Sequence, residues 1–155
     1  MATLRRAIMT TVQQQLYWND VKEGDNLPEF ELDLTWTKMV EQVSGSQDFY
    51  EVHHDPGFAR EAGHDEIFYN TGFTQAALCR LLTDWIGTEG WVQKFSFQMR
   101  RMNIPDDKVH VRGVVTSVNA TEGDTGSVTL DLWLENDRIG ITTPAEATVL
   151  LPVRK

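Results

Sequence analysis

The sequence predicts an α+β domain: one antiparallel sheet wrapped around a single long, greasy helix. Two observations carry this. Residues 71–87 place Phe73, Ala76, Ala77, Leu78, Leu81, Leu82, Trp85 and Ile86 over most of a helical circumference, and a helix that is apolar on most sides has to be buried. Everything after Gly87 then alternates with the period of two that strands require. The alternation is cleanest where Val128, Leu130, Leu132 and Leu134 interleave with Thr129, Asp131, Trp133 and Glu135. A run of strands following such a helix folds as a sheet over it. A chain of 155 residues supplies one core, because folding at that size buries about 70% of the chain's surface.

The elements follow in order. Residues 1–17 form a weakly patterned lead-in, compatible with a short helix, ahead of a domain over residues 18–155. A Gly-Asp turn at Gly24-Asp25 precedes residues 30–34, where Phe30, Leu32 and Leu34 alternate with Glu31 and Asp33, the pattern of a half-buried strand. Thr35 is placed to cap a helix, whose apolar stripe is Trp36, Met39, Val40 and Val43 at i, i+3, i+4 and i+7, and which Ser44-Gly45-Ser46 stops. Residues 47–63 are polar and irregular apart from Asp55-Pro56, a helix start that runs to Ala62. Gly87 serves as the C-terminal cap of the long helix. Four strands follow: one carries Phe95, Phe97 and Met99, and the next Val109, Val111 and Val115 with Gly113 interrupting. The third holds the 128–134 alternation, and the last Ala145, Ala147, Val149, Leu151 and Val153. Pro105-Asp106-Asp107 and residues 122–126 (EGDTG) read as hairpin turns, so the four strands are expected to be hairpin-linked in sequence order.

Composition narrows the function classes. Twenty-three acidic against fourteen basic residues give a net charge of −9 and a pI near 4.8, which argues against nucleic acid or a membrane surface as partner, since both want a basic face. The one cysteine, Cys79, cannot form an internal disulfide, and its place among Ala and Leu marks a small buried hydrophobe rather than a nucleophile. The apolar run after Arg5 and Arg6 is too short for a signal peptide, and no stretch approaches the roughly 18 apolar residues of a membrane span. A cytoplasmic protein is the expectation. Neither a G-x-G-x-x-G nor a Walker-type loop occurs.

The unusual segment is DFYEVHHD at residues 48–55, which sets the carboxylate of Asp48 five residues from the imidazole of His53 in a loop. Such a pair can grip one water, the carboxylate taking a proton as the water attacks and the imidazole orienting it or returning a proton. The plain alternative is a turn capped by Asp48 with His53 as a satisfied polar residue. The second feature is Asn70-Thr71-Gly72, where the long helix begins. Free N–H groups and a positive dipole end suit an oxygen that gains charge, although ordinary capping by Asn70 or Thr71 explains the residues equally well. Together, an acid/base loop and a helix N-terminus are the minimum for enolate chemistry on a thioester. A metal site built from His53, His54, Asp55, His64 and Asp65 is not expected, because the adjacent histidines diverge and no i, i+4 ligand pair is present.

The segment DFYEVHHDPGFA, residues 48–59, resembles the hydratase motif of the MaoC-like dehydratases, G-D-x-N-P-(I/L)-H-x-D-(P)-x-x-A, and continues without a gap to Ile67 and Asn70-Thr71, where that family has I-x-H-G. The pieces QDFYEVHHD, EIFYN and TDWIG are similar to the MaoC-like hydratase subunits of actinobacterial steroid side-chain degradation. The resemblance covers roughly residues 18–153 and implies a single hot-dog domain. It implies (R)-specific hydration of 2-enoyl thioesters, or the reverse dehydration of 3-hydroxyacyl thioesters. Asp48 and His53 would be the acid/base pair, and the Thr71 N–H, helped by Gly72, the donor to the thioester oxygen. It further implies no cofactor beyond a CoA thioester as substrate, and a homodimer or a heteromer with another MaoC-like chain. Tyr50, Asn70 and Gly72 would line the substrate site, and Lys94, Arg100 and Arg101 are candidate contacts to CoA phosphates, which requires them to form one basic patch at the pocket mouth. The chain departs from the motif at Gln47, Tyr50, Glu51 and Asn70-Thr71, in place of Gly, Asn, Pro and His-Gly. Two other functions share the fold: a thioesterase, and a non-catalytic subunit that completes another chain's pocket.

Overall fold

The computed structural model describes residues 14–155, without the side chains of residues 120–122. Most of the lead-in, residues 1–13 with Arg5 and Arg6, lies outside the described residues. Five strands form one antiparallel sheet: β1 (Phe30–Asp33), β2 (Trp91–Phe97), β3 (Lys108–Glu122), β4 (Thr125–Asn136) and β5 (Gly140–Pro152), in the spatial order β1-β3-β4-β5-β2. Among the described residues three α-helices accompany them: α1 (Trp36–Ser46), α2 (Pro56–Glu61) and the long α3 (Thr71–Ile86). The α+β arrangement, a sheet over one long helix, is as expected.

The alternation explains the core. Val109, Val111 and Val115 of β3, Val128, Leu130, Leu132 and Leu134 of β4, and Ala145, Ala147, Val149 and Leu151 of β5 are all buried. They join Ala77, Leu78, Leu81, Leu82 and Ile86 of α3 in one cluster. Gly113 interrupts the inner row of β3 for a steric reason. A Cβ there would stand 2.5 Å from the Leu132 side chain and 3.2 Å from Leu27, closer than carbon atoms tolerate.

Four expectations need correction. β3, β4 and β5 are joined by hairpins, but β2 pairs with β5 rather than β3, so Pro105-Asp106-Asp107 is a crossover bend and not a hairpin turn. That bend carries a positive φ of 70° at Asp106 and is pinned by Asp107, which accepts from the Arg138 guanidinium (Nε and Nη2, both 2.8 Å), from Asn136 Nδ2 and from the Ile104 N–H. On α1 the buried face is Met39, Gln42 and Val43, while Trp36 and Val40 are 46% and 64% exposed. The short helix touches the core along one narrow line, and Gln42 falls on it where Val40 does not. Gly45 lies within α1, which ends at Gln47 in the left-handed conformation (φ 57°). On α3, Ala76 faces solvent and Phe73 and Trp85 are half-buried, so the helix is buried on one broad side only.

Both ends of α3 are fixed. At the C-terminus Gly87 adopts φ 75°, a backbone region open chiefly to glycine. Gln15 bridges the end there, donating to the Ile86 carbonyl at 2.9 Å and accepting from the Glu89 N–H at 2.9 Å. At the N-terminus the Asn70 side chain accepts from the Phe73 N–H at 2.8 Å. Replacing Gly113 by alanine should destabilise the domain by about 1–3 kcal/mol through overpacking, read as a lower denaturation midpoint at unchanged m-value. Unchanged stability would mean that β3 and β4 pack less closely here than described.

Candidate active site around Asp48, His53 and the start of helix α3

The DFYEVHHD segment leaves α1 through the left-handed Gln47 and closes on a 3-10 turn, Glu51–His53. That turn buries His53. The imidazole sits edge-on between the rings of Phe68, at 4.9 Å between centroids, and Tyr50, at 6.3 Å. Its Nδ1 lies 2.8 Å from the Phe68 carbonyl oxygen. A carbonyl only accepts, so Nδ1 carries a hydrogen, and whenever the ring is neutral Nε2 is the nitrogen that presents a lone pair. Nε2 faces Asp48 Oδ2 at 3.4 Å. The Asp48 side chain is 42% exposed, so the pair opens toward solvent on the carboxylate side.

The residues leading into α3, Ile67, Phe68, Tyr69 and Asn70, are all buried. They are held by the Phe68 N–H on the Val52 carbonyl at 3.4 Å and the Tyr69 N–H on the Asn103 carbonyl at 3.1 Å. Asn70 delivers its amide to the loop: Nδ2 donates to Asp48 Oδ2 at 3.0 Å and to Ser46 Oγ at 2.9 Å. Its Oδ1 takes the Phe73 N–H and its backbone carbonyl takes the Thr74 N–H. Thr71 and Gly72, the first two residues of the helix, are exposed, and their N–H groups have no acceptor among the described hydrogen bonds. They point from the positive end of the helix dipole.

Of the nine residues expected in the site, six come together: Asp48, His53, Tyr50, Asn70, Thr71 and Gly72. Tyr50 is exposed and packs edge-on against the less exposed Phe58 at 5.8 Å. The other three do not form one basic patch. Lys94 lines a concavity on the outer sheet face with Thr129, Thr148 and Glu146. Arg100 lines a larger one of about 470 Å³ with Asp131, Trp133 and Glu146, and donates to Gln98 Oε1. Arg101 lines a third with His64 and Arg138, and donates to the Ile139 carbonyl. The backbone explains the scatter. The N–H groups of Arg100 and Arg101 both bond to the Thr142 carbonyl where the chain leaves the sheet, and the consecutive side chains depart in different directions. Asp48 and His53 line none of these three concavities.

Sequence reasoning missed two groups. The Phe68 carbonyl, which fixes the imidazole tautomer, is a backbone atom without a sequence signature. Ser46 appears in the sequence only as a helix stop, yet its hydroxyl receives Asn70 and donates to the Gln42 carbonyl at 2.6 Å. Among the described residues no three His, Cys, Asp or Glu side chains are grouped as a metal site. No helix among them is long and apolar enough to cross a membrane.

No family model matches the sequence. The chain is, however, 31% identical over 96 residues to the 3-oxo-4,17-pregnadiene-20-carboxyl-CoA hydratase beta subunit of Mycobacterium tuberculosis, an alignment covering 62% of this chain and 74% of that protein. The chain belongs to the MaoC-like hydratase family. Among solved structures, a chain of the ChsH1-ChsH2 complex from the same organism shares 26% identity at a TM-score of 0.72, covering 86% of this chain and 98% of that one. The MaoC-like dehydratase from Rhodospirillum rubrum matches at a TM-score of 0.77 with 20% identity, covering 90% and 99% of the two chains. The (R)-hydratase from A. caviae involved in PHA biosynthesis matches at 0.72 with 19% identity, covering 86% and 98%. These last two likenesses show the shared hot-dog fold.

Cys79, on the half-buried side of α3, has its thiol pushed above the ordinary range by burial. A raised thiol pKa leaves less thiolate at neutral pH. Alkylation of Cys79 should therefore be slow at pH 8 and accelerate only at higher pH than for a free thiol; a rate matching free cysteine across that range would contradict the placement.

Proposed function

We propose that this MaoC-like chain catalyses the (R)-specific hydration of 2-enoyl thioesters, and the reverse dehydration of 3-hydroxyacyl thioesters, with CoA as the carrier and no further cofactor. The observation that carries the reading is the facing pair at 3.4 Å, Asp48 Oδ2 and His53 Nε2, with the tautomer of His53 set by the Phe68 carbonyl. An ionised carboxylate and an unprotonated Nε2 are both acceptors and cannot bond each other directly. A water that donates one hydrogen to each satisfies both, and its oxygen lone pairs then point away from the pair toward a substrate.

In the proposed reaction that oxygen bonds to C3 of the enoyl group, the dyad takes the proton the water sheds, and a proton passes from the dyad to C2. The product is the 3-hydroxyacyl thioester, and the dyad ends in its starting protonation state. As C3 is attacked, negative charge builds on the thioester oxygen. The unpaired N–H groups of Thr71 and Gly72 at the α3 N-terminus are the donors that would hold it. Tyr50 and Phe58 supply an accessible aromatic wall beside the dyad for the acyl group.

A second reading has its own support. The relative at 31% identity is a beta subunit and one neighbouring structure is a complex of two chains. Here Tyr50 stands in place of the motif Asn, the carboxylate side of the dyad is open, and Lys94, Arg100 and Arg101 do not converge on it. A MaoC-like partner chain would then close the pocket and supply the contacts to CoA phosphates. A thioesterase on the same fold is the remaining alternative.

Asp48→Asn and His53→Ala should each lower enoyl-CoA hydration about 10²–10⁴-fold while circular dichroism shows an intact fold; full turnover in either variant would remove the pair from the mechanism. Free thiol released from acyl-CoAs would mark a thioesterase. Hydration that emerges only after mixing with a second MaoC-like chain would establish the subunit reading.

A further inference from the structure

We infer that Asn70 is the positioning residue of this site: its amide ties the Asp48 carboxylate to the start of α3, so that proton transfer and oxyanion stabilisation share one rigid frame. The inference rests on the hydratase reading above and goes beyond it, because Asn70 is expected from sequence only as a cap or a substrate contact.

The reason lies in what a cap needs and what this residue has. Capping requires one acceptor, which Ser, Thr or Asp provides as well as Asn. Asn70 spends its Oδ1 on that task, at 2.8 Å from the Phe73 N–H. The amide end is surplus to capping, and both of its hydrogens are used on the loop that carries the dyad, on Asp48 Oδ2 and Ser46 Oγ. Only an amide side chain offers an acceptor at one end and two donors at the other. Asn70 is 2% exposed, so neither hydrogen has water as an alternative. The Oδ1 assignment follows from the network itself, since a flipped amide would set NH₂ against a backbone N–H and oxygen against a carboxylate.

The geometry has two consequences. The oxygen of Asp48 that Asn70 holds is the one facing His53 Nε2, so the amide selects the carboxylate rotamer that completes the dyad. The other Asp48 oxygen has only the Tyr50 N–H, at 3.5 Å, and without Asn70 the half-exposed side chain has little to hold it. Because Oδ1 engages the third residue of the helix, the first two N–H groups are left without an acceptor among the described hydrogen bonds. The frame extends through Ser46, whose hydroxyl donates to the Gln42 carbonyl in the last turn of α1. Asn70 thereby stands in the helix-start position where the MaoC-like pattern has His, in a chain whose motif Asn is Tyr50.

The decisive variant is Asn70→Asp, which keeps the size and the capping oxygen but turns a second carboxylate toward Asp48. Tm should fall by several degrees, because the variant buries a second carboxylate and gives up both donated bonds, so activity is read well below that Tm, where the variant is folded. Turnover should fall at least 10-fold at little-changed KM, and the acidic limb of the pH–rate profile should move at least one unit upward, because like charges oppose the ionised carboxylate. Asn70→Ser, which caps but does not reach Asp48, should lose turnover without that displacement. Wild-type turnover and an unmoved pH profile in Asn70→Asp would overturn the inference. So would losses of turnover in both variants that simply track losses in Tm. A second arm does not depend on activity. In ¹⁵N spectra of the wild-type chain the Asn70 side-chain amide should be protected from exchange, and Asp48→Ala should shift it and abolish the protection. An Asn70 amide indifferent to Asp48→Ala overturns the tether itself, whereas a tether present in a chain without hydratase activity, alone or with a partner, would sink the proposed function instead.

Discussion

Burial of α3 is the constraint from which the rest of the molecule follows. Leu78, Leu81, Leu82 and Ile86 are almost wholly removed from water, and hiding that side of a sixteen-residue helix takes the inner rows of several strands at once. β3, β4 and β5 supply them by strict alternation, and Gly113 lets the Leu132 side chain lie close over β3. Once the helix is seated, its two ends are fixed in space. Gln15 closes the C-terminal end and Asn70 the N-terminal one, so a scaffold selected by packing delivers a positive helix end to a set place. The 46–55 loop has to meet it there.

At that meeting point the electrostatics are unusual for a loop. Asp48 Oδ2 and His53 Nε2 lie 3.4 Å apart, and with a neutral imidazole bearing its hydrogen on Nδ1 the two are both acceptors, which is unfavourable unless a hydrogen is supplied from outside. The neighbouring side chains are engaged: His53 Nδ1 with Phe68, the Asn70 amide with Ser46 and Asp48, and Asn70 Oδ1 with Phe73. The backbone carbonyl of Phe68 claims Nδ1, so Nε2 is the ring nitrogen turned to the carboxylate.

Much of this was legible in the sequence because it depends on periodicity and on local spacing. The alternation in β4, the apolar side of α3, the Thr35 and Asn70 caps and the Asp55-Pro56 helix start each answer to a local rule. Asp48 and His53 stood out because their spacing fits the MaoC-like motif. What sequence could not supply depends on the route of the chain in space. The crossover of β2 to β5 is decided by where a strand fits at the sheet edge, not by its own residues. The exposure of Val40 depends on which line of α1 meets the core. The Phe68 carbonyl is invisible to any residue pattern, and the second task of Asn70 shows only when the loop it grips is seen beside it.

The charge distribution points the same way. With nine more acids than bases, the chain commits many of its cations internally: Arg60 to Glu66, Lys108 to Glu31, Arg112 to Glu29 and Glu135, Arg138 to Asp107, and Arg154 to Asp20. These pairs lower Glu31 and raise Lys108, Arg112 and Arg138 from their ordinary values, and a cation so engaged is poorly available to a phosphate. Lys94, Arg100 and Arg101 lack a carboxylate partner among the described ion pairs, but each lines a different concavity, those of Lys94 and Arg100 adjoining at Ser96 and Glu146 and that of Arg101 sharing no residue with them. A net-acidic chain can still bind an anionic thioester, because recognition is local and short-range at physiological ionic strength. Within this chain the local donors at the dyad are backbone N–H groups, which suit a developing enolate and are too few for a nucleotide's phosphates. Under the hydratase reading, then, the chemistry is carried by Asp48, His53 and the start of α3, and the grip on the carrier has to come from groups other than these backbone donors.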